Sequence, residues 1–314
     1  MDFKHIPVLF EECMRALAVK EDGIYVDGTM GGGGHSGGIC ERLKERGLFI
    51  GIDRDKDAIE AASERLNNLC APCEKRYVQA NYADIKQILF DEGIANIDGA
   101  LLDLGVSSFQ LDNPKRGFSY MHDAPLDMRM DSSSDFTAYD VVNGYSEKEL
   151  ERIIRDYGEE RWGRRIAQFI VKEREAKPIE TTGELVDIIC KAVPKAVRQA
   201  AGGHPAKRIF QAIRIEVNDE LGILTEAFRT AVRHLKPGGR IAIITFHSLE
   251  DRIAKQTLKE MSRGCICPPE LPVCVCHHQP EIRLLGKPRQ ASRGELEENS
   301  RSKSAKLRIA EKLG

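Results

Sequence analysis

Between Tyr25 and Ser36 the chain reads Tyr-Val-Asp-Gly-Thr-Met-Gly-Gly-Gly-Gly-His-Ser. An apolar run ends in the carboxylate of Asp27, and a cluster of glycines follows. Backbone without a Cβ passes close to a ligand where any other residue would collide with it. A second apolar run ends in Asp53, about 20 residues further on. A carboxylate at the end of a strand can accept hydrogen bonds from both hydroxyls of a ribose. Asp27, the glycine turn and Asp53 therefore make an adenosine-binding constellation.

The glycines alone leave the cofactor open. Gly32-x-Gly34-x-x-Gly37 satisfies the dinucleotide fingerprint, so a nicotinamide-dependent oxidoreductase competes. Three features favour S-adenosylmethionine. Asp27 stands where it would repel a pyrophosphate and attract a sulfonium cation. A further run ends in Asp103, within Asp98-Gly-Ala-Leu-Leu-Asp-Leu-Gly-Val-Ser-Ser-Phe-Gln110, where amino-methyltransferases place the loop that holds the target nitrogen. Lys236-Pro-Gly-Gly-Arg240, before a fifth apolar run, is a habit of the same superfamily.

These residues need a frame that brings strand ends together. Apolar runs at residues 24–27, 48–53, 77–80 and 97–104 alternate with helical patterns, including 38–46 and 58–69. That rhythm predicts a parallel sheet covered on both faces. From about residue 117 to 208 the chain turns polar and helical, with amphipathic stretches at 147–157 and 161–175 and no strand-like alternation. The reading is an α/β protein with a helical domain inserted into its sheet domain. The expected divisions are 1–116 (sheet domain, first part), 117–204 (helical insertion, RNA recognition) and 205–314 (sheet domain, second part, with a basic tail). A single long helix is expected over 205–235, stopped by Pro237-Gly238-Gly239. A fifth strand follows at 240–246, then a mobile basic stretch at 283–301 and a last strand at 305–310.

The 314 residues are 41% hydrophobic and 31% charged, enough for an ordinary core. No apolar run is long enough to cross a bilayer and the first residues lack a signal-peptide pattern, so a cytoplasmic location is expected. A net charge of −2 excludes a uniformly basic coat but leaves room for a local basic patch. The nine cysteines read as reduced thiols. Cys265-Ile-Cys267 and Cys274-Val-Cys276, followed by His277 and His278, are also read as free thiols and no metal is expected. Paired zinc ligands usually have two residues between them rather than one, and a structural zinc is the alternative.

The segments His5-Ile-Pro-Val-Leu9, Asp27-Gly-Thr-Met-Gly-Gly-Gly-Gly-His-Ser36, Ile52-Asp-Arg-Asp55 and Asp103-Leu-Gly-Val-Ser-Ser-Phe-Gln-Leu-Asp112 are long and unlike generic motifs. So are Arg116-Gly-Phe-Ser119, Pro125-Leu-Asp-Met-Arg-Met-Asp131, Tyr157-Gly-Glu-Glu160, Phe210-Gln-Ala-Ile-Arg214, Thr245-Phe-His-Ser-Leu-Glu-Asp-Arg252 and Leu307-Arg-Ile-Ala310. With them, nearly the whole chain resembles the bacterial 16S ribosomal RNA (cytosine-N4) methyltransferases, the MraW/RsmH family. The resemblance implies a class I (Rossmann-like) S-adenosylmethionine-dependent methyltransferase sheet with an inserted helical domain. It also implies methylation of a cytosine in the decoding centre of the small ribosomal subunit, with 16S ribosomal RNA as partner. Carried over by motif, the cofactor contacts fall on Gly33, Gly34, His35, Asp53, Tyr82, Asp103 and Gln110.

For such a reaction Asp103 is the expected catalytic residue. With the Ser107-Ser108 turn it would hold the target amine or the amino-acid end of the cofactor, in place of the Pro-Pro-aromatic loop of other amino-methyltransferases, which is absent. Phe109, Phe118 and Tyr120 are candidates to stack on an extruded base, with packing inside the insertion as the competing role. Lys195, Arg198, Lys207, Arg208, Arg283, Lys287, Arg289 and Arg293 are candidate phosphate contacts. His247 is expected to order its loop rather than move protons. A DNA amino-methyltransferase, a nicotinamide oxidoreductase and a non-catalytic ribosome-assembly factor stay open as alternatives.

Overall fold

A computed structural model describes residues 7–200, 203–268 and 273–314. Helix α1 (Phe10–Leu17) leads into strand β1 (Ile24–Asp27), and α2 (Gly34–Cys40) into β2 (Leu48–Asp53). The alternation continues through α3 (Lys56–Asn67), β3 (Glu74–Gln79), α4 (Ile85–Asp91) and β4 (Ile97–Asp103). Helices then follow one another: α5 (Ser108–Asp112), α6 (Ala138–Gly144), α7 (Glu147–Asp156), α8 (Gly163–Ala176), α9 (Thr182–Ala192), α10 (Lys195–Ala200) and α11 (Ala206–Asn218). The chain returns to the sheet with α12 (Leu224–Arg233), β5 (Leu235–Thr245), α13 (Ser248–Met261), β6 (Ile282–Leu284), α14 (Arg293–Glu298) and β7 (Lys306–Lys312).

The chain divides into two compact units, Met1–Gly105 with Gly222–Gly314, and Val106–Leu221. The first is built on a seven-stranded sheet in the order β3-β2-β1-β4-β5-β7-β6. Strands β1 to β5 run parallel, and β7 runs antiparallel between β5 and β6. This is the class I methyltransferase arrangement. The inner strands are buried on both faces, as the apolar runs Leu48-Phe-Ile-Gly-Ile52 of β2 and Gly99-Ala-Leu-Leu102 of β4 require. β3, at the edge, carries Glu74, Lys75 and Arg76 instead, charges that discourage another strand from pairing there.

Register sets the geometry of the site. Asp27 ends β1 opposite Gly51 of β2 and Leu101 of β4, two residues short of Asp53 and Asp103 respectively. At about 3.3 Å per residue, the two flanking acids therefore stand about 7 Å further along the strands. Asp27 is the floor of a recess whose rim carries the other two.

The second unit is helical, and among its described residues there is no strand, only an isolated bridge between Pro125 and Thr181. Ser146, Thr137 and Thr181 cap α7, α6 and α9 with reciprocal capping boxes. Its core gathers Leu126, Met128, Val141, Leu150, Ile153, Ile166, Ile170 and Ile189.

Four expectations change here. The helix expected over 205–235 is two helices, α11 and α12. Asp219 turns left-handed (φ 46°), and the Arg214 guanidinium grips Glu220 across the break through two bonds of 2.8 and 2.9 Å. Helix α11 belongs to the helical unit, because Ile209, Phe210 and Ile213 are part of its core; the divisions fall at 105/106 and 221/222 rather than at 116/117 and 204/205. Pro237, Gly238 and Gly239 do not stop a helix. They lie inside β5, after α12 has ended at Arg233. Parts of the basic stretch 283–301 are also built into elements, namely β6, α14 and a short 3-10 turn, Ser300–Ser304, and between β6 and α14 Arg289 makes an isolated bridge to Leu307.

Candidate active site

The floor of the recess is built from Asp27, only 1% exposed. Ser36 Oγ donates to its Oδ2 at 2.7 Å, and the backbone N–H of Thr29 donates to Oδ1 at 3.2 Å. Burial outweighs these bonds and pushes its carboxyl up to about 6. On one side of the rim, Asp53 accepts from the N–H of Gly31 (2.8 Å) and of Asp55 (2.9 Å). The backbone of Arg54 bonds to it as well, and the acceptor capacity that remains is available to a ribose hydroxyl. Burial raises the Asp53 carboxyl as well.

The glycine turn joins these two acids. Gly31 and Gly33 are left-handed, with φ of 49° and 72°, a conformation that a side chain would strain. A Cβ on Gly33 would stand 3.1 Å from Ala62 Cβ of α3, whereas one on Gly32 would meet nothing within 4 Å. The open backbone at Gly32 is thus where a ligand can approach. Gly34 opens α2 and lacks room for a side chain because Pro7 lies against it.

On the opposite rim stands Asp103. Thr29 Oγ1 receives its backbone N–H at 2.6 Å, which ties the end of β4 to the turn after β1. A quarter of its side-chain surface reaches solvent, yet Oδ1 is buried with no hydrogen-bond partner. Oδ2 lies 3.7 Å from His35 Nε2. Burial, together with the charges of Asp27 and Glu250, holds the Asp103 carboxyl well above the usual carboxylate range. His35 is buried and stacks on Phe10 with ring centres 6.0 Å apart.

Tyr82 starts the 3-10 turn Tyr82–Asp84 just after β3, capped by the Asn81 side chain. It is half-buried and backs onto Gly28, where a Cβ would meet Tyr82 Cβ at 2.9 Å. The recess thus brings together Gly33, Gly34, His35, Asp53, Tyr82 and Asp103 on a single unit. Gln110 lies in the helical unit. Its side-chain oxygen accepts from Ser107 N–H at 3.0 Å and its own N–H donates to Ser107 Oγ at 3.2 Å, a capping box for α5. The side chain of Ser108, and His5 and Ile6 of the first family segment, lie outside the described residues.

Thr29, Ser36 and Glu250 did not stand out in the sequence. The signal for the first two was there: small hydroxyl residues beside strand-ending acids are natural donors to them. The closeness of His35 to Asp103 had no local signal, because it depends on the register of β1 against β4.

Other candidate residues fall into place as follows. Phe118 is in the helical core, and Tyr120 stacks on His204 (5.0 Å) and meets Phe210 edge-on (5.9 Å). Phe109 is 42% exposed. His247 caps α13, accepting from Glu250 N–H at 3.4 Å, while Glu250 accepts from the N–H groups of Phe246 (2.8 Å) and His247 (3.2 Å). Of the cations, Arg283 is held by Glu311 at 2.6 Å and Arg208 lies 3.6 Å from Glu160. Lys195, Lys207, Lys287, Arg289 and Arg293 are exposed. Lys236 of the Pro-Gly-Gly segment pairs with Asp98 at 2.6 Å, at the end of β4 opposite to Asp103.

A sequence profile of the MraW methylase family matches residues 2–313. Over all 314 residues and the full length of each relative, the chain is 56% identical to the ribosomal RNA small subunit methyltransferase H of Clostridioides difficile (strain 630) and 54% identical to that of Clostridium botulinum (strain Loch Maree / Type A3). Among solved structures, an rRNA methylase from Streptococcus thermophilus is 12% identical, with a TM-score of 0.45 over 99% of both chains.

Proposed function

Because the chain belongs to the MraW methylase family, we propose that it transfers the methyl group of S-adenosylmethionine to the exocyclic N4 amine of a cytosine in 16S ribosomal RNA, in the decoding centre of the small subunit. The observation that carries this reading is the recess of three strand-ending acids around an open glycine turn. Its residues fit the cofactor. Asp53 keeps acceptor capacity for the ribose, Tyr82 offers a ring to the adenine, and the open backbone at Gly32 leaves room for the ligand. Asp27 and Asp103, whose raised carboxyls a neighbouring sulfonium would drive to ionise, then bring negative charge to that cation and oppose the pyrophosphate of a nicotinamide cofactor.

When bound, S-adenosylmethionine supplies an activated methyl group. The amine of cytosine is a weak nucleophile because its lone pair is delocalised into the ring, so the protein's task is alignment. We assign to Asp103 the part of acceptor for the amine protons. Its Oδ1 has no hydrogen-bond partner, and a carboxylate so placed orients an N–H donor and stabilises the positive charge that grows on the nitrogen. Gln110 is retained as a cofactor contact on the family resemblance. The helical unit is assigned to RNA recognition, with Lys195 and Lys207 as phosphate contacts and the exposed ring of Phe109 as a stacking surface.

The decisive experiment incubates purified protein and labelled S-adenosylmethionine with small subunits that lack the mark. N4-methylcytidine is then sought in the digested 16S RNA by mass spectrometry, with free RNA and duplex DNA alongside. Label in the DNA, or none in the RNA, overturns the reading. Asp103→Asn is expected to lower turnover at least 100-fold while the protein remains folded; full turnover with unchanged cofactor affinity would remove Asp103 from its assigned part.

A further inference from the structure

Between α13 and β6, Cys265, Cys267, Cys274 and Cys276 converge until their four Sγ atoms all lie within 4.8 Å of one another. The Cys265 and Cys274 sulfurs are 3.5 Å apart, those of Cys274 and Cys276 3.6 Å, and those of Cys276 and Cys265 3.8 Å. All four are free cysteines. A zinc–thiolate bond of about 2.3 Å sets the sulfurs of a tetrahedron about 3.8 Å apart. The sulfurs of Cys265, Cys274 and Cys276 already stand at that spacing, with Cys267 within 4.8 Å of them. Cysteines around a multi-iron cluster stand further apart, because bridging sulfides and further irons fill the space between them.

Among the described residues, no apolar core accounts for the convergence. Ile266, Val273 and Val275, which lie between or beside the cysteines, are 54%, 70% and 65% exposed. Four neutral thiols gathered at the surface give up solvation for weak S–H contacts, and four thiolates without a cation repel one another. The N–H of Val275 points at Cys267 Sγ from 3.4 Å, a donor suited to a metal-bound thiolate. Nor is the single-residue spacing within each pair an obstacle, since Cys274 and Cys276 bring their sulfurs to 3.6 Å.

We propose that Cys265, Cys267, Cys274 and Cys276 bind one zinc ion as a closed tetrahedral site that staples the chain between α13 and β6. On binding, four S–H bonds give way to four Zn–S bonds and the protons pass to solvent. All four coordination positions are taken by protein sulfur, so none is open for a reacting water and the site braces the fold.

Protein purified without chelators is expected to contain about one zinc per chain by elemental mass spectrometry. Modification of the thiols should release it. Cys265→Ser and Cys274→Ser are expected to lose the metal, and Cys70→Ser, at an exposed thiol elsewhere, to keep it. Stripped protein titrated with cobalt(II) should develop the visible absorption of a tetrahedral tetrathiolate, saturating near one equivalent. The wild-type metal content and the cobalt spectrum decide the matter even where a serine variant does not fold. Wild-type protein from zinc-supplemented cells that holds no metal and gives no cobalt spectrum overturns the proposal. So do disulfides among these four cysteines in reducing buffer, or iron in the site.

Discussion

Asp27 is costly as a residue and useful as part of a site. Its carboxyl is raised from the ordinary range to about 6, so the folded protein holds that proton more tightly than the unfolded chain does. An acid with a raised folded-state value lowers stability above about pH 6, and the penalty fades as pH falls toward about 4. The shift corresponds to about 3 kcal/mol. Asp27→Asn abolishes this dependence, so wild type is expected to gain stability relative to the variant as pH drops from about 7.5 to about 5, measured by denaturant unfolding. The same carboxyl, with Asp103, favours a sulfonium once ionised. Affinity for S-adenosylmethionine should therefore rise relative to S-adenosylhomocysteine, which lacks the charge, as pH increases through about 6. Calorimetry at several pH values reads the ratio, and a constant ratio refutes the electrostatic role given to the recess. Asp53 acts through geometry instead. Asp53→Ala removes the ribose acceptor and the anchor of Gly31, and should weaken cofactor binding about 10- to 100-fold by the same calorimetry.

Among the elements, α13 shows how a residue with catalytic potential can serve structure. His247 and Glu250 close its first turn, so His247→Ala should cost about 1 kcal/mol in unfolding experiments. His247→Asn, an equally good cap, should restore it, with cofactor affinity unchanged throughout. A proton-transfer role would show the opposite pattern, with lost turnover in both variants. The succession of strands β1 to β5 along the chain and the acids at the ends of β1, β2 and β4 were legible in the sequence, because strand-length apolar runs recur with helices between them and three of these runs end in Asp. The break between α11 and α12 was not. Apolar residues continue at helical spacing through Leu221 and Leu224, and periodicity carries no trace of a left-handed Asp219 or of a guanidinium gripping Glu220. The basic stretch misled for a related reason. Composition revealed its charges but not the pairing of Arg283 with Glu311 of β7, which arrives from a distant part of the chain.

For the whole molecule, a net charge of −2 means that attraction to RNA is local. Lys195 and Lys207, both exposed in the helical unit, carry the assigned phosphate contacts. Lys195→Ala and Lys207→Ala are each expected to flatten the salt dependence of RNA binding by roughly 0.7 in log–log slope, leaving cofactor affinity untouched. Unchanged slopes would move the RNA footprint elsewhere. The two-unit plan itself was visible in the change of pattern after β4, but the limits were misplaced because α11 presents its apolar face to the helical core. The sheet unit is also discontinuous in the chain. β4 is made long before its neighbour β5, with the entire helical unit between them, and β6 has no partner until β7 emerges to fill the gap beside β5. While translation is under way, the half-built sheet has the bare apolar edge of β4 on offer, a surface that chaperones bind and stray strands aggregate on. The helical segment, contiguous and rich in local contacts, is free to settle first. A polypeptide of this design becomes competent late in its own synthesis, when β7 closes the sheet from within.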